Sequence, residues 1–258
     1  MNTTQLFNLK DKTAIVTGGG NGIGKASCKI LAAHGANIVV ADYNIESANA
    51  VAKDIKSDGH NAIAIECDVT KDEDLTNLVS KTIDLFGQIH ILVNNVGGGG
   101  GGKESPEKIE VSQFRRVYEM NVFSMWRLCQ LVAPSMKEAG YGSIINMSSM
   151  ASINKSPSMS AYASAKAAVN HMSANLAHDY GQYGIRVNAV GPGATVTDAL
   201  KSVLTPEIEA KMLQHTPIKR LGQPEDIAGA VLYFASPIST WVSGQILFVN
   251  GGGVQTLD

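Results

Sequence analysis

Seven short β-branched runs alternate with longer stretches of helical period along the whole chain, an order that builds a parallel sheet with crossover helices on its faces. The runs fall at 13–17, 37–42, 62–67, 89–94, 142–147, 184–190 and 245–250. Most are continuous Val, Ile and Ala with little polar alternation, as expected of strands covered on both sides. Helical periodicity occupies 21–34, 45–57, 71–86, 111–137, 159–183 and 224–235, and Gly35 and Gly59 stand where glycine caps end two of these helices. The pattern predicts an α/β fold with a doubly wound sheet of seven parallel strands and helices on both faces. No Pro/Ser-rich linker, compositional break or internal repeat divides the 258 residues. One domain over 1–258 is therefore expected.

Composition narrows the function classes. Apolar residues make up 44% of the chain and charged residues 17%, so a large core can be buried. The 21 basic and 23 acidic residues leave a formal charge of -2 with no basic run, which gives no footprint for nucleic acid. No apolar stretch approaches the roughly 18 residues of a membrane span, and residues 1–12 lack the apolar core of a signal peptide. A soluble, cytoplasmic protein without a membrane partner is expected. Cys28, Cys67 and Cys129 show no paired spacing and read as small buried apolar residues, while the six histidines join no ligand cluster, so no metal is expected.

Two segments break the rhythm. Gly97–Gly102 is an unbroken glycine run, and Gly193–Pro217 is a long piece between the sixth strand and the next helix. A glycine run is ordinarily a linker. Here it follows the fourth strand directly, placing it at the carboxyl edge of the sheet, where open α/β folds bind ligands.

The first strand runs into Thr17-Gly18-Gly19-Gly20-Asn21-Gly22-Ile23-Gly24 as a helix begins. Glycines there allow a tight turn and let the backbone approach a pyrophosphate held at the helix start, so Gly18, Asn21, Gly22, Ile23 and Gly24 are cofactor-binding candidates. The second strand ends at Asp42, about 20 positions beyond the glycines, the place for a carboxylate that accepts hydrogen bonds from an adenosine ribose. That carboxylate would repel a 2′-phosphate, and none of Gly19, Gly20, Asn21 and Tyr43 is basic, so NAD is expected over NADP. The duller reading is that Asp42 caps the helix starting near Asn44.

With glycines spaced as Gly18, Gly22 and Gly24, the chain resembles the short-chain dehydrogenase/reductase family in its single-domain, Rossmann-type form. Asp68-Val69, Asn94-Asn95-Val96-Gly97, Asn121, Ser149, Tyr162-x-x-x-Lys166 and Pro192-Gly193 follow in that family's order over nearly the whole chain; Val96 departs from the usual Ala. The resemblance implies one unit joining dinucleotide binding and catalysis, with a substrate lid at about 194–217. It makes Tyr162 the acid/base, Ser149 the donor to the substrate oxygen, Lys166 the modifier of Tyr162 and holder of the nicotinamide ribose, and Asn121 the organiser of a water linking Lys166 to solvent. Tyr162 and Lys166 are four apart in a helical stretch, so they share a face. Lowering a phenol pKa from about 10 toward 7 takes about 4 kcal/mol, expected here from the ammonium and an oxidised nicotinamide. Ser148 is a rival to Ser149, and Asn121 inside an apolar helix asks for a buried partner.

Further cofactor contacts follow from the resemblance. Asp68 and Val69 would flank the adenine, with Asp68 also a candidate helix cap. Asn94, Asn95 and Gly97 would approach the adenosine-side ribose and diphosphate. Pro192, Gly193, Thr195 and Thr197 would line the nicotinamide, and Gly-Pro-Gly at 191–193 reads as a rigid turn. Met147, Met150, Met159 and Met172 bracket the site, as core filling or as the wall of a bulky apolar pocket. Specificity is expected in 98–103, 151–159 and 194–217. Within the family the resemblance is to bacterial members acting on steroid hydroxyls, through the glycine run, 115–123, 197–208 and 244–258. It implies NAD-linked oxidation of the 7α-hydroxyl of a bile acid, an apolar alcohol/ketone pair, in a homotetramer built from 111–137, 159–183 and the last strand. The alternatives are a 3-oxoacyl-carrier-protein reductase and a silent dinucleotide-binding module.

Overall fold

The computed structural model describes residues 5–99 and 104–253. Residues 100–103 of the glycine segment and the tail beyond 253 lie outside the described residues. Strands β1 (Thr13–Thr17), β2 (Asn37–Asp42), β3 (Ala62–Glu66), β4 (Ile91–Asn94), β5 (Gly142–Met147), β6 (Ile185–Pro192) and β7 (Ile246–Val249) form one sheet in the order β3-β2-β1-β4-β5-β6-β7. Every pairing is parallel, as the uninterrupted apolar runs imply. All of β1, β4 and β5 is buried.

Helices α1 (Gly22–Ala33), α2 (Ile45–Ser57), α3 (Asp72–Phe86), α4 (Val111–Tyr118), α5 (Ser124–Ala139), α6 (Ser160–Gly181), α7 (Asp198–Lys201), α8 (Pro206–Leu213) and α9 (Pro224–Ala235) complete the chain. One core joins α1, α2 and α9 to the sheet through Leu31, Val51, Phe234 and strand residues such as Val16 and Ile145. The other joins α3, α5 and α6 to the opposite face through Leu78, Leu128, Leu176 and Ile15. Cys28, Cys67 and Cys129 are free and buried. No helix among the described residues is long and apolar enough to cross a membrane.

The strand order reverses between β1 and β4. Crossovers on the two sides leave in opposite directions there, which opens a crevice beyond the carboxyl ends of these strands.

Three expectations are corrected. The single helix over 111–137 is divided, because Glu119–Phe123 takes one π turn between α4 and α5. The irregular piece 194–217 contains α7 and α8, each opened by a threonine whose hydroxyl caps it, Thr197 on the Leu200 amide and Thr205 on that of Ile208. The turn at 191–193 is strand for two of its three residues, since β7 pairs Phe248 with Gly191 and Val249 with Pro192.

Candidate active site

The crevice is a cavity of about 1170 Å³, at the upper end of the usual range for ligand clefts. Its walls include Gly18, Asn21, Gly22, Ile23, Asp42, Asp68, Val69, Asn95, Gly97 and Thr197, so ten of the candidate cofactor residues converge on one space.

The glycine turn is shaped for close approach. Gly18 has φ +62, and a Cβ there would lie 3.0 Å from Asn95 Nδ2. A Cβ on Gly24 would lie 2.0 Å from the Gly18 carbonyl oxygen, so Gly24 lets α1 pack on the turn instead of lining the cavity. Asn21 Oδ1 accepts the Gly22 amide at 2.7 Å. The amides of Ile23 and Gly24 have no acceptor among the described residues, which leaves two N–H groups at a helix start for an anion. The open cradle and these amides fit a dinucleotide pyrophosphate.

Asp42 is buried beside this turn. Its Oδ2 accepts the Gly20 amide at 2.9 Å and its Oδ1 the Asn44 amide at 3.0 Å. The capping alternative fails, because Asn44 itself caps α2 by accepting the Ser47 amide. Asp68 likewise does not cap α3, whose cap position is Lys71. Its carboxylate instead takes the amide and hydroxyl of Thr70, which hold it below the usual carboxylate range.

The ends of β1 and β4 are stitched together by Thr17 and Asn95. Thr17 Oγ1 accepts the amides of Asn95 and Val96, and Asn95 Nδ2 donates to the Thr17 carbonyl at 3.0 Å. Asn94 does not reach the cavity. Successive strand residues face opposite ways, and its amide donates into the interior to Asn146 Oδ1 at 2.8 Å.

The catalytic candidates gather where β4, β5 and α6 meet. Ser149 follows β5, accepts the Ala151 amide at 3.1 Å and hydrogen-bonds the Tyr162 hydroxyl. Ser148 faces the other way, its hydroxyl 3.5 Å from the Lys166 carbonyl, so the rivalry resolves to Ser149. Lys166 is only 2% exposed. Its Nζ donates to the Met147 carbonyl at 2.7 Å and lies 5.7 Å from the Tyr162 ring centroid. Asn121, in the π turn, finds its buried partner in Gly98. Its Nδ2 donates to the Gly98 carbonyl at 2.9 Å, and its Oδ1 accepts the Gly98 amide at 3.2 Å. A Cβ on Gly97 would be 2.7 Å from Lys166 Nζ and 2.8 Å from Asn121 Oδ1, so both groups crowd one point.

Burial governs the electrostatics of this pair in the chain by itself. Burial pushes the Tyr162 phenol up, against the opposing Ser149 hydrogen bond. Burial also pushes the Lys166 ammonium down to about 8. Desolvation disfavours both charged forms. The chain alone therefore keeps the phenol protonated.

Not every candidate meets the cavity. Pro192 ends β6, and Gly193 is pressed on the β7 end, where a Cβ would lie 2.8 Å from Asn250 Cα. Thr195 is buried, bridges to Gly222 and donates to the Gly193 carbonyl, so it anchors the 194–217 segment. Met147 belongs to one core and Met172 packs against the other, whereas Met120 lines the cavity. Sequence reading also missed Ser112, Arg115 and Arg116 of α4 and Glu119 of the π turn, which line it. The available signal was that this short amphipathic helix buries no residue. Among the described residues, no group of three or more His, Cys, Asp or Glu side chains is arranged for a metal ion.

Known proteins resemble the chain over nearly its whole length. A family profile described as enoyl-(acyl carrier protein) reductase matches residues 18–253. The chain is 52% identical over 252 residues to a 7α-hydroxysteroid dehydrogenase of Escherichia coli strain K12, covering 98% of each. It is 39% identical over 245 residues to a 7α-hydroxysteroid dehydrogenase of Clostridium sardiniense, covering 95% of this chain and 94% of that one. A solved 7α-hydroxysteroid dehydrogenase in complex with NADH and 7-oxo glycochenodeoxycholic acid superposes with a TM-score of 0.95 at 51% identity, covering 100% of both chains.

Proposed function

Because the chain belongs to the short-chain dehydrogenase/reductase family and is an oxidoreductase, we propose that it interconverts the 7α-hydroxyl and 7-ketone of bile acids with NAD. The observation that carries this reading is the gathering of Ser149 and Lys166 about Tyr162, with Lys166 crowding Gly97, which lines the same cavity as the buried Asp42. The 52% identity to a 7α-hydroxysteroid dehydrogenase supports the substrate class.

A dinucleotide held in this cavity would supply the hydride acceptor for oxidation of the carbinol carbon. Gly18, Gly22 and Ile23 would hold its pyrophosphate, Asp42 its adenosine ribose, Asp68 and Val69 its adenine, and Thr197 the nicotinamide end. Lys166 would hold the second ribose. Ser149 donates its hydroxyl hydrogen bond to the substrate oxygen. Tyr162 must stand as the phenolate to take the alcohol proton as the carbinol carbon is oxidised, and because burial alone disfavours that phenolate it needs a cation nearby before the transfer. Lys166 Nζ lies beneath the same ring. Asn121 Oδ1, beside that ammonium, is suited to hold a water leading the proton outward.

In this reading the protein is a cytoplasmic single-domain enzyme whose 194–217 segment covers the substrate. It works as a homotetramer, supported by partly exposed Phe123 and Trp126 on the α4–α5 rod, by Tyr183 after α6, and by Leu247 on the edge strand β7. The decisive experiment assays 3-, 7- and 12-hydroxy bile acids with NAD and NADP. Turnover of the 7α-hydroxyl epimers with NAD is expected, and activity confined to 3-oxoacyl thioesters or to NADP would refute the reading.

A further inference from the structure

The helix that carries Tyr162 does not cap itself. Its cap position, Met159, makes no side-chain hydrogen bond, and the first bond closing the helix is from the Ala163 amide to the Met159 carbonyl. The amides before that point need acceptors from elsewhere. Ala161 is fully buried, so water cannot serve its N–H. The acceptor is Glu104 Oε2, 3.1 Å away and distant in sequence.

A second contact fixes the same junction. The Glu104 amide donates to the Ser158 carbonyl at 3.1 Å, and Ser158 takes a left-handed φ of 59, a conformation that a side-chain-bearing residue holds only where its surroundings demand it. Glu104 is thus gripped through both backbone and side chain, one residue before the tyrosine. Its carboxylate has no ion-pair partner among the described residues. A negative group at this helix end is favoured by the N-terminal end of the helix dipole. Upstream, Gly98 is clamped by Asn121 through its amide and carbonyl. Gly98, within the glycine segment, is thus bonded to one catalytic candidate, and Glu104, beyond that segment, to the start of the helix that bears another.

We propose that Glu104 is a positioning residue for the alcohol oxidation: it supplies in trans the N-terminal cap that α6 lacks, and thereby sets the turn bearing Tyr162. This rests on the reading of Tyr162 as acid/base. Glu104 itself touches neither substrate nor dinucleotide, and acts through the Ala161 amide.

The test compares Glu104→Ala and Glu104→Gln with the unaltered protein, measuring steady-state kinetics with NAD and a 7α-hydroxy bile acid, NADH affinity by fluorescence, and amide exchange of 159–165. Glu104→Ala is expected to lower kcat about tenfold by loosening the reacting geometry, to leave the NADH Kd within about twofold, and to speed exchange in the first turn of α6. Glu104→Gln keeps an acceptor oxygen and is expected to restore most of kcat and of the protection. Wild-type kcat and exchange in Glu104→Ala would overturn the proposal. So would a parallel fall in kcat, NADH affinity and thermal stability that glutamine does not rescue, which would make Glu104 a general fold contact. If the unaltered protein oxidises no bile acid, the functional reading fails, while the exchange comparison still decides the cap.

Discussion

Gly97→Ala tests the site at its tightest point. The new methyl would lie 2.7 Å from Lys166 Nζ and 2.8 Å from Asn121 Oδ1, where ordinary contact needs about 3.5 Å or more. Each group must retreat by nearly an ångström. For Lys166, the tip of a long side chain gives way, so the fold should lose only about 1–3 kcal/mol as in other overpacked sites. The same retreat strains the 2.7 Å bond from Nζ to the Met147 carbonyl and moves the cation relative to the Tyr162 ring. A misplacement of about 1 Å at reacting groups costs about a hundredfold in rate, or about 2.7 kcal/mol of barrier. The assay is kcat/KM for NAD-linked oxidation of a 7α-hydroxy bile acid, with thermal melting alongside. A folded variant within about threefold of wild type would refute the crowding argument. Gly229→Ala is the control. This glycine lies in α9 with no atom within 4 Å of its added Cβ, so activity should be unchanged and stability should rise by about 0.5–1 kcal/mol.

Tyr162→Phe should abolish turnover, by about a thousandfold or more, while NADH fluorescence titration shows nearly unchanged binding; surviving turnover would remove the tyrosine from the acid/base role. Asp42→Ala should weaken NAD and raise the NADP/NAD preference by about tenfold or more, since a carboxylate at contact distance repels a 2′-phosphate by up to about 4 kcal/mol; an unchanged cofactor ratio in kcat/KM would count against the ribose contact. Lys166 is held at about 8 when folded, against 10.5 ordinarily. Between those values the unfolded chain binds the extra proton, so this stabilising contribution is full above about 10.5 and is lost as pH falls through about 8. Urea melts of the dinucleotide-free protein against Lys166→Met should show a relative gain of roughly 3 kcal/mol for the wild type over that window, and parallel curves would contradict the buried neutral lysine.

The seven strands, the glycine turn and the catalytic candidates could be read from the sequence because each reading uses local, periodic or short-range chemistry. Continuous apolar runs such as 13–17 mark strands covered on both faces. Gly18, Gly22 and Gly24 are needed for one turn, and the spacing of Tyr162 and Lys166 puts them on one helix face. The helices at 198–201 and 206–213 were missed, although Thr197, Thr205 and Pro206 are start signals, because each is too short to show a periodic pattern.

Other features were decided only by the folded chain, because they join residues far apart in sequence in a space that water has left. The choice of Ser149 over Ser148 depends on which of two adjacent hydroxyls turns toward Tyr162. The π turn at Asn121 exists beside its bonds to Gly98, and Asn94 points inward while Asn95 stitches β1 to β4. The burial that raises the phenol and lowers the ammonium comes from surrounding both groups with protein. Spacing along the chain selects which groups can meet, but desolvation and the direction of each hydrogen bond are properties of the packed interior alone.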